Sequence, residues 1–247
     1  MEAARQIRDA VTSVAQLRQA GLATPALGAA VAQVKQLQSR RFAGTYADLL
    51  AGTEYAAAAR FFLEELYSDK DYAERDMQFA RIAGTIEKLF PAQVVETAVG
   101  LAELHAKTEA LDQQLAQAWL APQAALLAPG LRYATAWRAV GRQPDREDQL
   151  RVVLRIGAQM ARLTRTPGLR MMLRMMRAPA AAAGMASLQR FLESGFDTFG
   201  EMARKPGGAE RFLEIVRERE SALIAALFED ELVACGTRLE RTLGQAR

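Results

Sequence analysis

The chain has 247 residues, half of them apolar and a quarter charged, with a formal net charge of +3. That length suits one large domain or two small ones, and it supports a hydrophobic core that needs no covalent staple. A charge this small does not by itself imply a polyanionic partner, and the lone Cys235 excludes intramolecular disulfides and a cysteine-based zinc site.

Other classes are disfavoured on similar grounds. The opening MEAARQIRDAV mixes acids and bases, unlike a secretory signal or a transit peptide. No apolar run approaches the roughly 18 residues that span a bilayer. Asparagine is absent, and with it any N-glycosylation acceptor. These features predict a cytoplasmic protein of bacterial type.

Helix formers dominate, and no stretch alternates with period two between hairpin turns. The pattern predicts an all-α multi-helix bundle of roughly ten helices. They are expected at 2–20, 25–40, 45–51, 54–67, 71–90, 91–119, 130–140, 145–164, 167–177, 179–204 and 208–243. Gly21, Gly44, Gly141 and the pair Gly207-Gly208 read as breaks, Pro91 and Pro167 as first-turn residues, and Asp145 as a cap. The helix from Pro91 carries Val94, Ala98, Leu101, Leu104, Leu111, Leu115 and Trp119 on a heptad-like seam, as a central element would. Ala121 to Gly130 is apolar and holds two prolines, so it reads as a packed crossover. We expect a single all-helical domain over 1–247, divisible into lobes 1–120 and 130–247.

The most distinctive stretch is FFLEELYSDKDYAERDMQFAR, Phe61 to Arg81. Tyr55, Ala59, Phe62, Leu63 and Leu66 share a helix face, and Ser68 and Asp69 interrupt the run. Asp71 then suits an N-cap, with Glu74 three residues on as its capping-box partner. This corner gathers Tyr67, Tyr72 and several carboxylates. It reads either as a capped, aromatic-sealed turn or as a ligand or partner site formed by Tyr67, Asp71, Tyr72, Arg75 and Asp76. The FFLEELY–D–KD–RD–FAR pattern resembles a family of uncharacterised, helix-rich proteobacterial proteins, and PAAAAGMASLQRFLESGFDTF, Pro179 to Phe199, looks like that family's second signature. The resemblance implies an all-helical cytoplasmic protein and carries no activity or catalytic residue with it.

Catalytic and cofactor chemistry finds little footing. Di-metal bundles need a Glu-x-x-His motif on each of two helices, whereas His105 is the only histidine. Glu65, Asp69, Asp71 and Asp76 could hold magnesium, but Lys70 and Arg75 lie among them and favour local neutralisation. Haem ligation by His105 has no second supporting feature. There is no nucleophile elbow, dinucleotide fingerprint or P-loop. We expect no catalytic residue, no metal and no cofactor.

The second unusual feature is electrostatic. From Gln149 to Leu192 no acid occurs, while Arg151, Arg155, Arg162, Arg165, Arg170, Arg174, Arg177 and Arg190 do. Arginine favours bidentate contact with carboxylate or phosphate. In TPGLRMMLRMMRAP, Arg170, Arg174 and Arg177 form one stripe and Leu169, Met172, Leu173 and Met176 another. Arg162, Arg165, Arg170, Arg174 and Arg177 are therefore a candidate basic interaction patch. Its partner is the chain's own acids, the acidic surface of another protein, or a second copy. Nucleic acid is disfavoured because interleaved exposed aromatics and a strongly basic total are missing. A membrane surface is disfavoured because lysines and bulky aromatic anchors are missing. The sequence thus points to a non-catalytic interaction or scaffold protein, with a small-ligand binder or enzyme using a polar pocket near Tyr67–Asp76 as the alternative.

Overall fold

The computed structural model describes residues 2–68 and 70–246. Among them the chain is all-α, a multi-helix bundle without strands. The helices are α1 (Glu2–Ala23), α2 (Pro25–Thr45), α3 (Ala47–Ala51), α4 (Ala56–Glu65), α5 (Ala73–Leu89), α6 (Ala92–Trp119) and α7 (Pro129–Val140). They continue as α8 (Gln143–Leu163), α9 (Leu169–Met175), α10 (Arg177–Ala182), α11 (Ala186–Ala203), α12 (Gly208–Glu229) and α13 (Leu232–Gln245). The crossover between α6 and α7 contains a 3₁₀ turn, Pro122–Ala124.

The helices gather into two compact units, each assembled from three separate stretches. The first takes Met1–Ala15, Lys70–Ala106 and Val152–Glu214; the second takes Gln16–Asp69, Lys107–Arg151 and Ile215–Arg247. Helices α1, α6, α8 and α12 give one stretch to each. The first unit's core sets Ala4, Ile7 and Ala10 of α1 against Phe79, Ala83 and Ile86 of α5, with Ala102 and Leu188. The second sets Leu27, Ala30, Val34 and Leu37 of α2 against Leu115 and Trp119, Tyr133 and Trp137, and Leu239 and Leu243. The three- and four-residue spacing within each group is the helical period that put these residues on one buried face.

Several helix boundaries depart from the sequence expectation, each for a local reason. The stretch expected as one helix over 179–204 stops after Ala182. Gly184 adopts φ +69°, Met185 N–H donates to the Ala180 carbonyl at 2.7 Å and Gly184 N–H to Ala181 at 3.1 Å. This is a Schellman stop. The stretch 208–243 divides at Asp230, where the Glu231 carboxylate accepts the Val233 and Ala234 N–H groups at 2.9 and 2.7 Å and so caps α13. Asp145 is not the cap of α8; it lies in the first turn and accepts from Arg142 Nε at 2.6 Å.

Gly21 and Gly44, expected as breaks, lie inside helices. Gly44 is there because α13 crosses α2 at backbone contact: a Cβ at Gly44 would lie 1.9 Å from the Thr242 carbonyl oxygen. The packing of α7 on α13 uses the same device, since a Cβ at Gly130 would lie 2.7 Å from the Gly236 oxygen. Helix propensity alone favours Ala over Gly by about 1 kcal/mol. Steric overlap with a fixed carbonyl should win at Gly44, so Gly44→Ala is expected to lower stability by about 1–3 kcal/mol. Gly100→Ala, whose methyl meets Ile156 at an ordinary 3.7 Å, is expected to raise it by up to about 1 kcal/mol. Urea unfolding of the two variants checks the pair; a stabilised Gly44→Ala would mean that α2 and α13 part without cost.

Candidate functional site

The arginine-rich stretch occupies the end of α8, α9 and α10 in the first unit. Gly168 turns the chain into α9 with φ +79°, and its carbonyl accepts from Met172 N–H at 2.9 Å. Arg170 and Arg177 both reach α11. Arg170 donates from Nε to Asp197 Oδ1 at 2.9 Å, with Nη2 2.8 Å from the same oxygen. Arg177 grips Glu193 with both prongs, at 2.5 to 2.8 Å, and this holds the Glu193 carboxyl below its usual range. Glu193 and Asp197 are four residues apart, so one acidic stripe of α11 receives two arginines of the opposing stripe. Arg165 lies 3.8 Å from Glu210, a looser pair. Arg162 and Arg174 are exposed and make no ion pair among the described residues.

The apolar stripe is partly covered, Leu169 being half-buried. Met172 and Leu173 are half-buried, but Met176 is exposed, and Met171 and Met175 are about two-thirds exposed at 67% and 65%. Met171 and Met175 lie outside that stripe, on the side of α9 away from Leu169 and Leu173.

The corner residues divide between the two units. Tyr67 belongs to the second, where its ring stacks on Phe42 at 4.5 Å beside the Arg41 guanidinium, and burial pushes its phenol up. Asp71, Tyr72, Arg75 and Asp76 belong to the first; Asp69 lies outside the described residues. Asp71 accepts the Ala73 N–H at 2.9 Å, directly ahead of α5, while Glu74 is engaged by Gln78 rather than by a capping box. The Arg75 guanidinium sits 3.8 Å from the Tyr72 ring centre and 4.4 Å from that of Phe191. Asp76 is buried, with Oδ2 3.0 Å from His105 Nε2. Two residues on, the Gln78 side-chain Oε1 accepts the Leu188 N–H at 2.9 Å, satisfying an orphan donor in the first turn of α11.

Sequence reasoning missed the charges inside the second unit. The Glu220 carboxylate accepts from Arg41 Nη1 at 2.6 Å and from the Tyr46 hydroxyl at 3.0 Å, all three being buried. Burial disfavours the Arg41 charge, but Glu220 together with the Tyr67 and Tyr133 phenols more than offsets it and the guanidinium is held charged; burial and Glu220 together push the Tyr46 phenol up. Next along α2, Gln38 donates to Asp112 at 2.9 Å and Lys35 to Glu109 at 2.6 Å. Arg146 approaches Asp112 at 4.0 Å and covers the Trp137 ring at 4.4 Å. Burial raises the Asp112 carboxyl, with Arg146 pulling it back. A signal was present: Lys35, Gln38 and Arg41 recur every third residue beside Val34 and Leu37, and Glu109 and Asp112 share that spacing on α6.

A family model described as Domain of unknown function (DUF8198) matches residues 17–233. The chain belongs to that family. No curated protein and no solved structure matches it. The DUF8198 match takes in the corner, the arginine-rich stretch and the buried charges alike. Among the described residues there is no group of three or more His, Cys, Asp or Glu side chains able to hold a metal, and no helix long and apolar enough to cross a membrane.

Removing one partner of a buried ion pair strands the other charge, so Glu220→Gln is expected to cost about 3 kcal/mol or more. Glu220→Leu combined with Arg41→Met should cost much less than the sum of the two single changes, as a double-mutant cycle in urea would read; additivity would mean the charges do not interact. Asp112 makes a separate prediction. A carboxyl raised on folding keeps its proton after the unfolded chain has released it, so it costs stability as pH climbs above the ordinary value of about 4. The unfolding free energy of wild type minus that of Asp112→Asn is therefore expected to fall as pH rises above about 4. A flat or rising difference would show that Lys35 and Arg146 offset the burial fully.

Proposed function

We propose that this protein is a non-catalytic interaction or scaffold protein that receives a protein partner with an acidic surface on the arginine–methionine face of α9 and α10. The observation that carries the reading is the exposure of Met171 and Met175 between exposed arginines. Exposed side chains of that size do nothing for the core of this unit. Methionine is unbranched and adapts to irregular partner surfaces. Arg162 and Arg174 make no ion pair among the described residues, although Arg174 lies within electrostatic reach of Glu193, whereas Arg170 and Arg177 are spent on α11. The engagement of Asp71, Arg75 and Asp76 within their own unit favours this reading over a ligand pocket at the corner. We further take the protein to be bacterial and cytoplasmic, on the strength of its two signature stretches and its single, buried thiol.

The experiment places a photo-crosslinking residue at Met175 in the native cell and identifies what is captured. A discrete acidic partner is expected, and Met171→Ser or Arg174→Glu should reduce its capture while helix content is kept. Contacts at a solvated surface are screened over about 8 Å at physiological salt, so the purified complex should weaken as salt rises. A partner whose affinity ignores both substitutions and salt would refute this face as the docking surface. Capture of a second copy of this chain would replace the acidic partner with self-association.

A further inference from the structure

Thiols and thioethers are the side chains that a mild two-electron oxidant attacks first. The chain has one cysteine and nine methionines. Cys235 is buried, and burial pushes its thiol up, which keeps it from the reactive thiolate form. A thioether needs no deprotonation, so exposure decides which methionine reacts. Met202 is buried, and Met160, Met172 and Met185 are half-buried. Met77, Met171, Met175 and Met176 are exposed. Three of these four stand on α9 or directly after it.

Met171 and Met175 are four residues apart and hence neighbours on one side of α9. Oxidation to the sulfoxide turns a flexible apolar tip into a polar one whose oxygen accepts hydrogen bonds. Arg174, three residues after Met171, is within helical reach as a donor to such an oxygen. Two sulfoxides would therefore make the apolar strip polar and draw on a cation of the same face. The fold stands outside this change. The core that packs α1 on α5 contains neither methionine. The covered side of α9 is formed instead by Leu169, Met172 and Leu173. Sulfur in solvent is open to the oxidant and equally to the enzyme that reverses it.

We propose that Met171 and Met175 form a reversible oxidation site whose conversion to sulfoxide releases the docked partner. The oxidant is a hydroperoxide. A thioether lone pair attacks one peroxide oxygen, and the O–O bond breaks as the S–O bond forms. Sulfur gives up two electrons; with hydrogen peroxide the second oxygen keeps its own proton, takes the one transferred and leaves as water. A thiol-dependent sulfoxide reductase runs the return, in which the oxygen leaves as water and two thiols become a disulfide. The modification stands apart from the interaction reading, and release of the partner rests on it.

The full chain is treated with hydrogen peroxide and each methionine followed by peptide mass spectrometry. Met171 and Met175 are expected to oxidise about tenfold faster than Met202 or better, with the unfolding temperature kept, and to be restored by sulfoxide reductase with a thiol. Equal rates at Met175 and Met202, or unfolding in step with the two sulfoxides, overturns the site. Release is read with the photo-crosslinking residue moved to the exposed Ala178, so that both methionines remain. Peroxide should lower capture of the acidic partner about tenfold and the reductase should restore it. Met171→Gln with Met175→Gln, polar without an oxidant, should lower capture unaided. Met77→Leu removes an exposed thioether from α5 and should leave the peroxide response intact. A response abolished by Met77→Leu overturns the switch. Capture that survives oxidation of both methionines sinks the switch alone, whereas no capture by the untreated chain sinks the docking reading and release with it.

Discussion

A helix with little solvent-facing surface cannot leave its charges to water, and α6 imposes that constraint on the rest of the chain. It has 28 residues, about 42 Å at 1.5 Å per residue, and few of its positions are exposed. In the second unit it carries two acids inward, Glu109 and Asp112. Leaving either unpaired would cost several kcal/mol. Lys35, Gln38 and Arg146 answer them from α2 and α8, and α2 continues the same row to Arg41 and its partner Glu220. The register of α2 is thereby set by hydrogen bonds as well as by the row from Leu27 to Leu37. An apolar stripe tolerates a small rotation of its helix, whereas a row of paired charges does not.

The same helix explains what could be read from the sequence and what could not. Its existence and extent followed from periodicity, because Leu111, Leu115 and Trp119 must share a face whatever packs against them. The identity of the packing partner does not follow, since Arg41 and Glu220 are 179 residues apart and no local pattern links them. Glycines show the limit from another side. Gly141, Gly168, Gly184 and Gly207 all take positive φ and end or redirect the chain. Gly44, equally plain in the sequence, is helical and present for a crossing helix. Both uses exploit the missing Cβ, and only the tertiary structure tells them apart. The cap at Glu231 escaped notice because the preferred cap residues have shorter side chains.

The candidate site was legible in part for the same reason. An acid-free run of arginines is visible to anyone reading the sequence, but which arginines remain available is a tertiary fact. Arg170 and Arg177 spend themselves on Asp197 and Glu193, acids that begin just beyond the run. Met171 and Met175 fall off the apolar stripe at helical spacing, and that much the sequence already held. What the sequence did not show is the division at Met176, which ends the stripe there with Met176 exposed.

Stability and exposure pull in different directions at this face, and that contrast bears on function. Exposed ion pairs of the Arg170–Asp197 kind contribute about 1 kcal/mol or less, so α11 holds α9 lightly. Arg177, at the start of α10, adds a two-pronged contact to Glu193, and Gln189 donates to the Leu173 carbonyl at 2.6 Å. Leu169, Met172 and Leu173 are half-buried beside these polar contacts, while Met171 and Met175 stay in solvent. Had the chain needed only a lid over α11, leucines turned inward would have served at lower cost. Flexible methionines kept in solvent and flanked by guanidiniums are the feature on which the proposed docking rests.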